Sequence, residues 1–143
     1  MGLIRDAKRA LMLPHGSWRT LGRATLELAM ARVRLRADHS QHLLNARAAR
    51  QLTPLLLTSE EARLIEQVAF AIPRVAQRVP WRADCLVQAL AGERWLRHRG
   101  IAAQVVIGVN KGGPALLDAH AWLKAGDRVV TGGEIAAFVP LTD

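Results

Sequence analysis

The stretch Asp84-Cys85-Leu86-Val87-Gln88-Ala89-Leu90 opens a helical pattern that continues to about His98, and Cys85 is the only cysteine among the 143 residues. Pro80 precedes the pattern, and Gly100 follows it as the expected αL terminator. The first backbone N–H groups of a helix have no partner within the helix and carry partial positive charge, which favours the thiolate form of a cysteine. We therefore predict that Cys85 is a nucleophile at a helix N-terminus.

A histidine follows in the second half of the chain, where the pattern becomes strand-like. Ala119-His120-Ala121-Trp122 lies in an alternating apolar segment, and Gly126-Asp127 is a typical turn between two antiparallel strands. In that hairpin His120 is expected to face Gly133. An imidazole on a strand and a thiol at a helix start supply the base and the nucleophile of acyl transfer, so His120 and Cys85 are the catalytic candidates.

A Cys/His pair is normally oriented by a third group, usually an Asp or Asn that fixes the tautomer of the imidazole. The candidates are Glu134, one residue beyond Gly133, and Asp118, which lies two residues before His120 on the same strand face. Glu134 or its backbone is slightly preferred. A backbone carbonyl is the remaining alternative.

Trp81 and Trp122 are the candidate substrate-binding residues. Trp122 shares a predicted strand face with His120, where its ring would form a wall of a substrate channel, and packing in the core is the alternative for both rings. The spacing of the other histidines is not that of a metal site, so no metal is expected. These histidines are His15, His39, His42 and His98.

The order of the patterns predicts an α+β fold. Helical periodicity dominates residues 1–78, where Thr58 and Glu61 form a capping box, and strand patterns follow residue 100. The length and the hydrophobic half of the composition fit one domain over 1–143. We expect a helical half over 1–78, packed on a small antiparallel sheet, and a catalytic core over 79–143. Helices are expected over about 3–13, 20–36, 41–51, 58 to Pro73 or beyond, and 84–98, and strands over 103–109, 117–125 and 128–131.

The formal net charge is +8, and arginine supplies most of it. The arginines alternate with Leu and Ala at helical intervals, which favours solvated helix faces over a basic groove. A non-catalytic helical adaptor that binds an acidic peptide, a nucleic acid or a membrane surface stays open as the alternative function.

The sequence also bears on the compartment. A single cysteine excludes an intramolecular disulfide, and the N-terminal residues lack the pattern of a signal peptide. The apolar runs are broken by Arg before they reach the roughly 18 residues of a spanning helix. We expect a cytoplasmic protein with no integral membrane segment.

Four blocks in this order, residues 84–90, 95–101, 106–109 and 119–123, resemble the transglutaminase-like leader peptidases of lasso-peptide biosynthesis. The resemblance covers about residues 80 to 141. It implies a transglutaminase-like, papain-like cysteine protease core that removes the leader from a ribosomally made precursor, with Cys85 as nucleophile and His120 as general base. The third residue of that family is an Asp about a dozen positions after the histidine, where this chain has Gly132. Glu134 would then substitute, or the site would be a Cys/His dyad, or the chain an inactive member.

The resemblance also implies partners. They are the lasso precursor peptide, a separate leader-binding protein, and the ATP-dependent cyclase that closes the macrolactam after cleavage. A separate leader-binding protein is expected because residues before 80 lack the three-stranded pattern of a fused leader-binding module. No metal, nucleotide cofactor or nucleic acid is implied.

Overall fold

The helices come first in the chain and the strands follow. The computed structural model describes residues 15–37, 57–110, 112 and 118–141. These residues form three helices, α1 (His15–Ala37), α2 (Ser59–Ala76) and α3 (Cys85–Arg97), and four strands, β1 (Gln104–Asn110), β2 (Asp118–Ala125), β3 (Arg128–Thr131) and β4 (Val139–Pro140). The strands make an antiparallel sheet in the order β3-β2-β1-β4, so the α+β class is confirmed. The helices expected over 3–13 and 41–51 lie outside the described residues.

Helix α2 begins at the capping box that the sequence indicates. The Oγ1 of Thr58 accepts a hydrogen bond from the Glu61 backbone N–H at 3.2 Å, and Glu61 Oε2 accepts one from the Thr58 N–H at 2.8 Å. The two residues thereby satisfy each other's backbone donors at the helix start. Pro73 lies within α2, which continues to Ala76, so this proline does not end the helix.

Helix α1 covers one side of the core and packs on both α2 and α3. It begins at His15, earlier than the predicted start at residue 20. Its residues Ala24, Leu28 and Ala31 are buried and join the other helices and the sheet in one hydrophobic core. Among the residues described, no helix is both long enough and apolar enough to cross a bilayer.

Helix α3 lies close to the sheet because it has a glycine, Gly92, where it packs on β2. A Cβ atom on Gly92 would lie 2.7 Å from Cδ2 of Leu123, nearer than a side chain allows, and 3.7 Å from Cγ2 of Thr131. Leu123 and Thr131 pair across β2 and β3, so this is the face of the sheet that meets the helix. Gly92 therefore sets the separation between α3 and the sheet.

The hairpin of β2 and β3 has the predicted turn but not the predicted register beyond it. Ala125 faces Arg128 around Gly126, whose φ of +58° suits the turn. A bulge between Leu123 and Lys124 then shifts the pairing by one residue, and β3 ends at Thr131. The expectation that His120 faces Gly133 is therefore wrong.

The C-terminal segment, whose pattern predicts no element, returns to the sheet as β4. Gly108 of β1 pairs with Pro140, and Val109 pairs with Val139. The backbone N–H of Leu141 donates to the Ile107 carbonyl at 2.8 Å. Strand β4 thus covers the open edge of β1 and brings residues 132–138 back across the start of β2.

A buried carboxylate joins α1 to α3. The Glu27 side chain is fully buried and accepts a hydrogen bond from Arg23 Nε at 2.7 Å. Its other oxygen lies 3.1 Å from Nε of Arg94, which is largely buried on α3. Arg23 also donates to Nδ1 of His98 at 3.1 Å, at the end of α3. No sequence pattern indicates this network. It joins α3 to α1 through ion pairs in addition to apolar contacts.

Replacing Glu27 by Ala is expected to lower the free energy of unfolding by about 3 kcal/mol, because Arg94 keeps a buried charge without its counter-ion. Glu66→Ala is the matched control. Glu66 pairs with Arg128 at 2.9 Å, but 50% of the Arg128 side chain and 64% of the Glu66 side chain are exposed. That loss should cost less than about 1 kcal/mol. Urea unfolding followed by circular dichroism measures both, and equal losses would contradict the anchoring role of Glu27.

Candidate active site

Cys85 is the first residue of α3, as predicted. Asp84 is the N-cap, with an extended backbone, and its Oδ1 accepts a hydrogen bond from the Val87 N–H at 3.2 Å. The side chain of Gln88 donates to the Ala83 carbonyl at 3.0 Å and fixes the approach of the chain to the helix. Cys85 itself is a half-buried free thiol at the end of the helix where unpaired N–H groups concentrate.

Cys85 belongs to α3 and His120 to β2, two elements that pack against each other. The six residues 98–103 join α3 to β1, which pairs antiparallel with β2. From the contact of Gly92 with Leu123, Cys85 is seven residues back along the helix and His120 three residues back along the strand. Both separations are about 10 Å, from rises of about 1.5 Å and about 3.3 Å per residue.

Strand alternation sets the direction of the imidazole. Leu123 faces α3, so His120 and Trp122 share the other face of β2, and their rings lie 6.2 Å apart between centroids with an interplanar angle of 28°. The shared face of the two residues is the predicted one. Among the described residues, no hydrogen bond joins the Cys85 thiol to His120.

The imidazole of His120 is held by a backbone carbonyl and by an aromatic ring. Its Nε2 lies 2.7 Å from the carbonyl oxygen of Gly132. A carbonyl oxygen only accepts hydrogen bonds, so Nε2 carries the proton and Nδ1 of the neutral ring is left as an acceptor. The ring of Phe138 packs against it with 4.8 Å between centroids and a tilt of 37°. His120 is thus oriented with its basic nitrogen at Nδ1.

Gly132 is required at its position for two reasons. Its φ is +113°, which a residue with a side chain rarely adopts, and a Cβ atom there would overlap the Cβ of Trp122. Gly108, which pairs with His120 on β1, is similar, because a Cβ there would lie 2.6 Å from the Trp122 ring. The absence of a side chain at both glycines leaves room for Trp122, which is buried and only 2% exposed.

The family model described as transglutaminase-like superfamily matches residues 27–143, which is more than half of the chain. The chain belongs to the transglutaminase-like superfamily. No curated protein and no solved structure matches it. The match begins within α1, so the superfamily domain of this transglutaminase-like protein includes much of the helical layer as well as α3 and the sheet. The superfamily generally includes cysteine peptidases, and the narrower resemblance to leader peptidases stays a prediction.

The carboxylates predicted to orient His120 lie elsewhere in this transglutaminase-like site. Glu134 is exposed, and its Oε1 accepts a hydrogen bond from the Ala136 backbone N–H at 3.2 Å. Asp118 is exposed at the start of β2, where it pairs with Asn110. The Gly132 carbonyl oxygen is the group that lies within hydrogen-bond distance of His120. The role of either carboxylate stays a prediction.

The two tryptophans differ in their surroundings. Trp122 is buried beside His120 on the same face of β2. Trp81 is half-buried against the hydrophobic core, four residues before Cys85. Contact of either ring with a substrate stays a prediction. Within the described part of the chain, no group of three or more His, Cys, Asp or Glu side chains is arranged to hold a metal ion.

The sequence does not indicate the contacts that two residues of the site make with His120. Phe138 is apolar and lies in a segment without a clear pattern, so no sequence signal marks its contact with His120. The family resemblance marks Gly132 as the place where an Asp is expected, and the sequence leaves a backbone carbonyl as an alternative without indicating which residue supplies it. The adjacent Gly132-Gly133 pair, with φ values of +113° and +62°, is the signal that a backbone group takes an unusual direction there.

Gly132→Ala is expected to lower the free energy of unfolding by at least about 2 kcal/mol more than Gly133→Ala does. Both positions have a positive φ, but a Cβ on Gly133 meets no atom within 4 Å, whereas one on Gly132 overlaps Trp122. Thermal or urea unfolding of both variants measures the difference. Equal destabilisation would show that Gly132 is needed only for its backbone conformation.

Proposed function

We propose that this transglutaminase-like protein is a cysteine peptidase with Cys85 as nucleophile, His120 as general base and the Gly132 carbonyl in place of the usual third side chain. The observation that carries the proposal is the 2.7 Å hydrogen bond between His120 Nε2 and the Gly132 oxygen. That bond leaves Nδ1 free to take a proton, which is what a nucleophilic cysteine requires of its base. The position of Cys85 as the first residue of α3, beside unpaired backbone N–H groups, supports the same chemistry.

The reaction follows from these groups. His120 Nδ1 accepts the thiol proton, and the Cys85 sulfur attacks the carbonyl carbon of the scissile peptide bond. Backbone N–H groups at the start of α3 stabilise the oxyanion. The imidazolium then gives its proton to the leaving amine, and water, deprotonated by His120, hydrolyses the thioester to release the acid and the free enzyme. This sequence requires Sγ of Cys85 and Nδ1 of His120 to come into contact when substrate is bound.

We further propose that the substrate is the precursor of a lasso peptide and that the protein removes its leader in the cytoplasm before a separate ATP-dependent cyclase forms the macrolactam. Support comes from the four ordered sequence blocks of this kind of peptidase and from the superfamily match. A separate leader-binding protein would deliver the precursor. Transfer of the acyl group to an amine instead of water would use the same thioester, so product analysis distinguishes the two outcomes.

Iodoacetamide is expected to alkylate Cys85 in the folded protein faster than it alkylates a free cysteine peptide near neutral pH. His120→Gln should slow that alkylation at least about tenfold, since it removes the base. His98→Gln is the control, because His98 is exposed at the far end of α3 and contacts Arg23. Mass spectrometry of the labelled protein gives the rates. Equal rates in both histidine variants would overturn the role of His120.

Cleavage of candidate precursor peptides, with and without a leader-binding partner, is the direct test of the peptidase. Cys85→Ala should abolish leader release while its circular dichroism spectrum stays that of the wild type. Cleavage by Cys85→Ala would contradict the proposal. Absence of any cleavage by the wild type, despite fast alkylation of Cys85, would mean another substrate, and slow alkylation as well would mean an inactive member of the superfamily.

Glu134→Gln and Asp118→Asn are expected to keep cleavage within about threefold of the wild type, because a carbonyl rather than a carboxylate orients the imidazole. Each substitution removes a negative charge and preserves the shape of the side chain. The ratio kcat/KM, measured on the same precursor, is the readout. A loss of about a hundredfold or more in one variant would give that carboxylate the third position.

A further inference from the structure

The side of α1 that faces away from the core carries large apolar residues. Trp18, Leu26 and Val33 are 49%, 53% and 61% exposed. They follow one another at intervals of eight and seven residues, which keeps them on one side of a helix with 3.6 residues per turn. The buried stripe of Ala24, Leu28 and Ala31 lies on the opposite side. We call Trp18, Leu26 and Val33, with the exposed Gly22 between them, the outer stripe.

The outer stripe is long, narrow and open. From Trp18 to Val33 it extends for about 22 Å along the helix axis. Gly22 lies between Trp18 and Leu26, and a Cβ placed there would meet no atom within 4 Å. Apolar residues aligned over this length differ from the single apolar side chains that are common on protein surfaces. The stripe has the width and spacing of a seam between two helices.

The charges beside the outer stripe are all positive. Arg19, Arg34 and Arg36 are exposed on α1, and none of them forms an ion pair with a described residue. Glu27, the only acidic residue in α1, is buried and paired with Arg23 and Arg94. A partner that covers the stripe therefore meets arginine on its flanks and no acidic side chain of α1.

We infer that the outer stripe of α1 binds an acidic amphipathic helix of another protein. Its apolar residues would pack against Trp18, Leu26 and Val33, and its Glu or Asp residues would pair with the flanking arginines. A second copy of this chain is disfavoured, because the same arginines would face each other in a molecule of net charge +8. A membrane surface is disfavoured, because a helix lying in a bilayer interface needs a broad apolar face, whereas the outer stripe is narrow and the other apolar stripe of α1 is buried in the core.

A synthetic peptide tests this inference on the full chain. The probe has about 20 residues, enough to form a helix in water, with Leu at heptad spacing and Glu beside it. One comparison peptide has the same composition in scrambled order, and another has Lys in place of Glu. Fluorescence anisotropy should show binding to the amphipathic acidic peptide at least about tenfold tighter than to the scrambled one, since only the former aligns its apolar residues.

Variants of the protein locate the contact. Leu26→Glu and Val33→Glu should each weaken binding at least about tenfold, by placing a negative charge in an apolar seam. Phe70→Glu is the matched control, because Phe70 is another exposed apolar helix residue, 38% exposed, on α2. The alkylation rate of Cys85 should be unchanged in all three, which separates this inference from the proposed peptidase activity.

Three results would overturn the inference. One is equal binding of the scrambled peptide, which would reduce the effect to net charge. The second is self-association in sedimentation that Leu26→Glu abolishes, which would make the stripe an interface between copies. The third is binding to vesicles of phosphatidylcholine and phosphatidylglycerol that Leu26→Glu abolishes while peptide binding is unaffected, which would make it a membrane contact.

Discussion

The hydrogen bond from His120 Nε2 to the carbonyl of Gly132 is the constraint on which the site depends. It exists because the chain leaves β3 after Thr131 and turns through a positive φ at Gly132, directly over Trp122. A side chain at Gly132 would overlap Trp122, so the acceptor is fixed by a steric requirement for glycine. A backbone dipole in this position fixes the tautomer of the imidazole without adding a full negative charge.

The helices pack on the face of the sheet that Leu123 occupies. Helix α3 carries Cys85 at its first residue and is held over β2 by the close approach at Gly92. The buried pair of Glu27 with Arg94 ties α3 to α1. The superfamily match begins at residue 27, so it includes α2 and part of α1 as well as α3, which begins at Cys85.

Local signals predicted much of this arrangement. The start of α3 at Cys85, the capping box of Thr58 and Glu61 and the turn at Gly126 each depend on a few neighbouring residues, and each is confirmed. The order of helices and strands followed from hydrophobic periodicity. These features could be predicted because their cause lies within a few residues along the chain.

The features that the sequence did not predict depend on contacts between distant segments. The bulge between Leu123 and Lys124 shifts the pairing of β2 with β3 by one residue, so His120 does not face the expected Gly133. Strand β4 forms by pairing with β1 and has no pattern of its own. A backbone carbonyl was one of the predicted alternatives for orienting His120, but side-chain spacing does not reveal that it belongs to Gly132. Nothing in the sequence around Glu27 indicates that this carboxylate is buried, because its burial depends on the packing of α3 against α1.

The tautomer of the neutral His120 imidazole tests the hydrogen bond to the Gly132 carbonyl most directly. A long-range proton–nitrogen correlation spectrum of the imidazole nitrogens, assigned by comparison with His120→Gln, reports which nitrogen carries the proton in the neutral ring. The hydrogen bond to Gly132 predicts a protonated Nε2 and a bare Nδ1. A proton on Nδ1 would contradict this prediction. Nε2 could then not donate to the Gly132 carbonyl, and Nδ1 could not act as the base for Cys85.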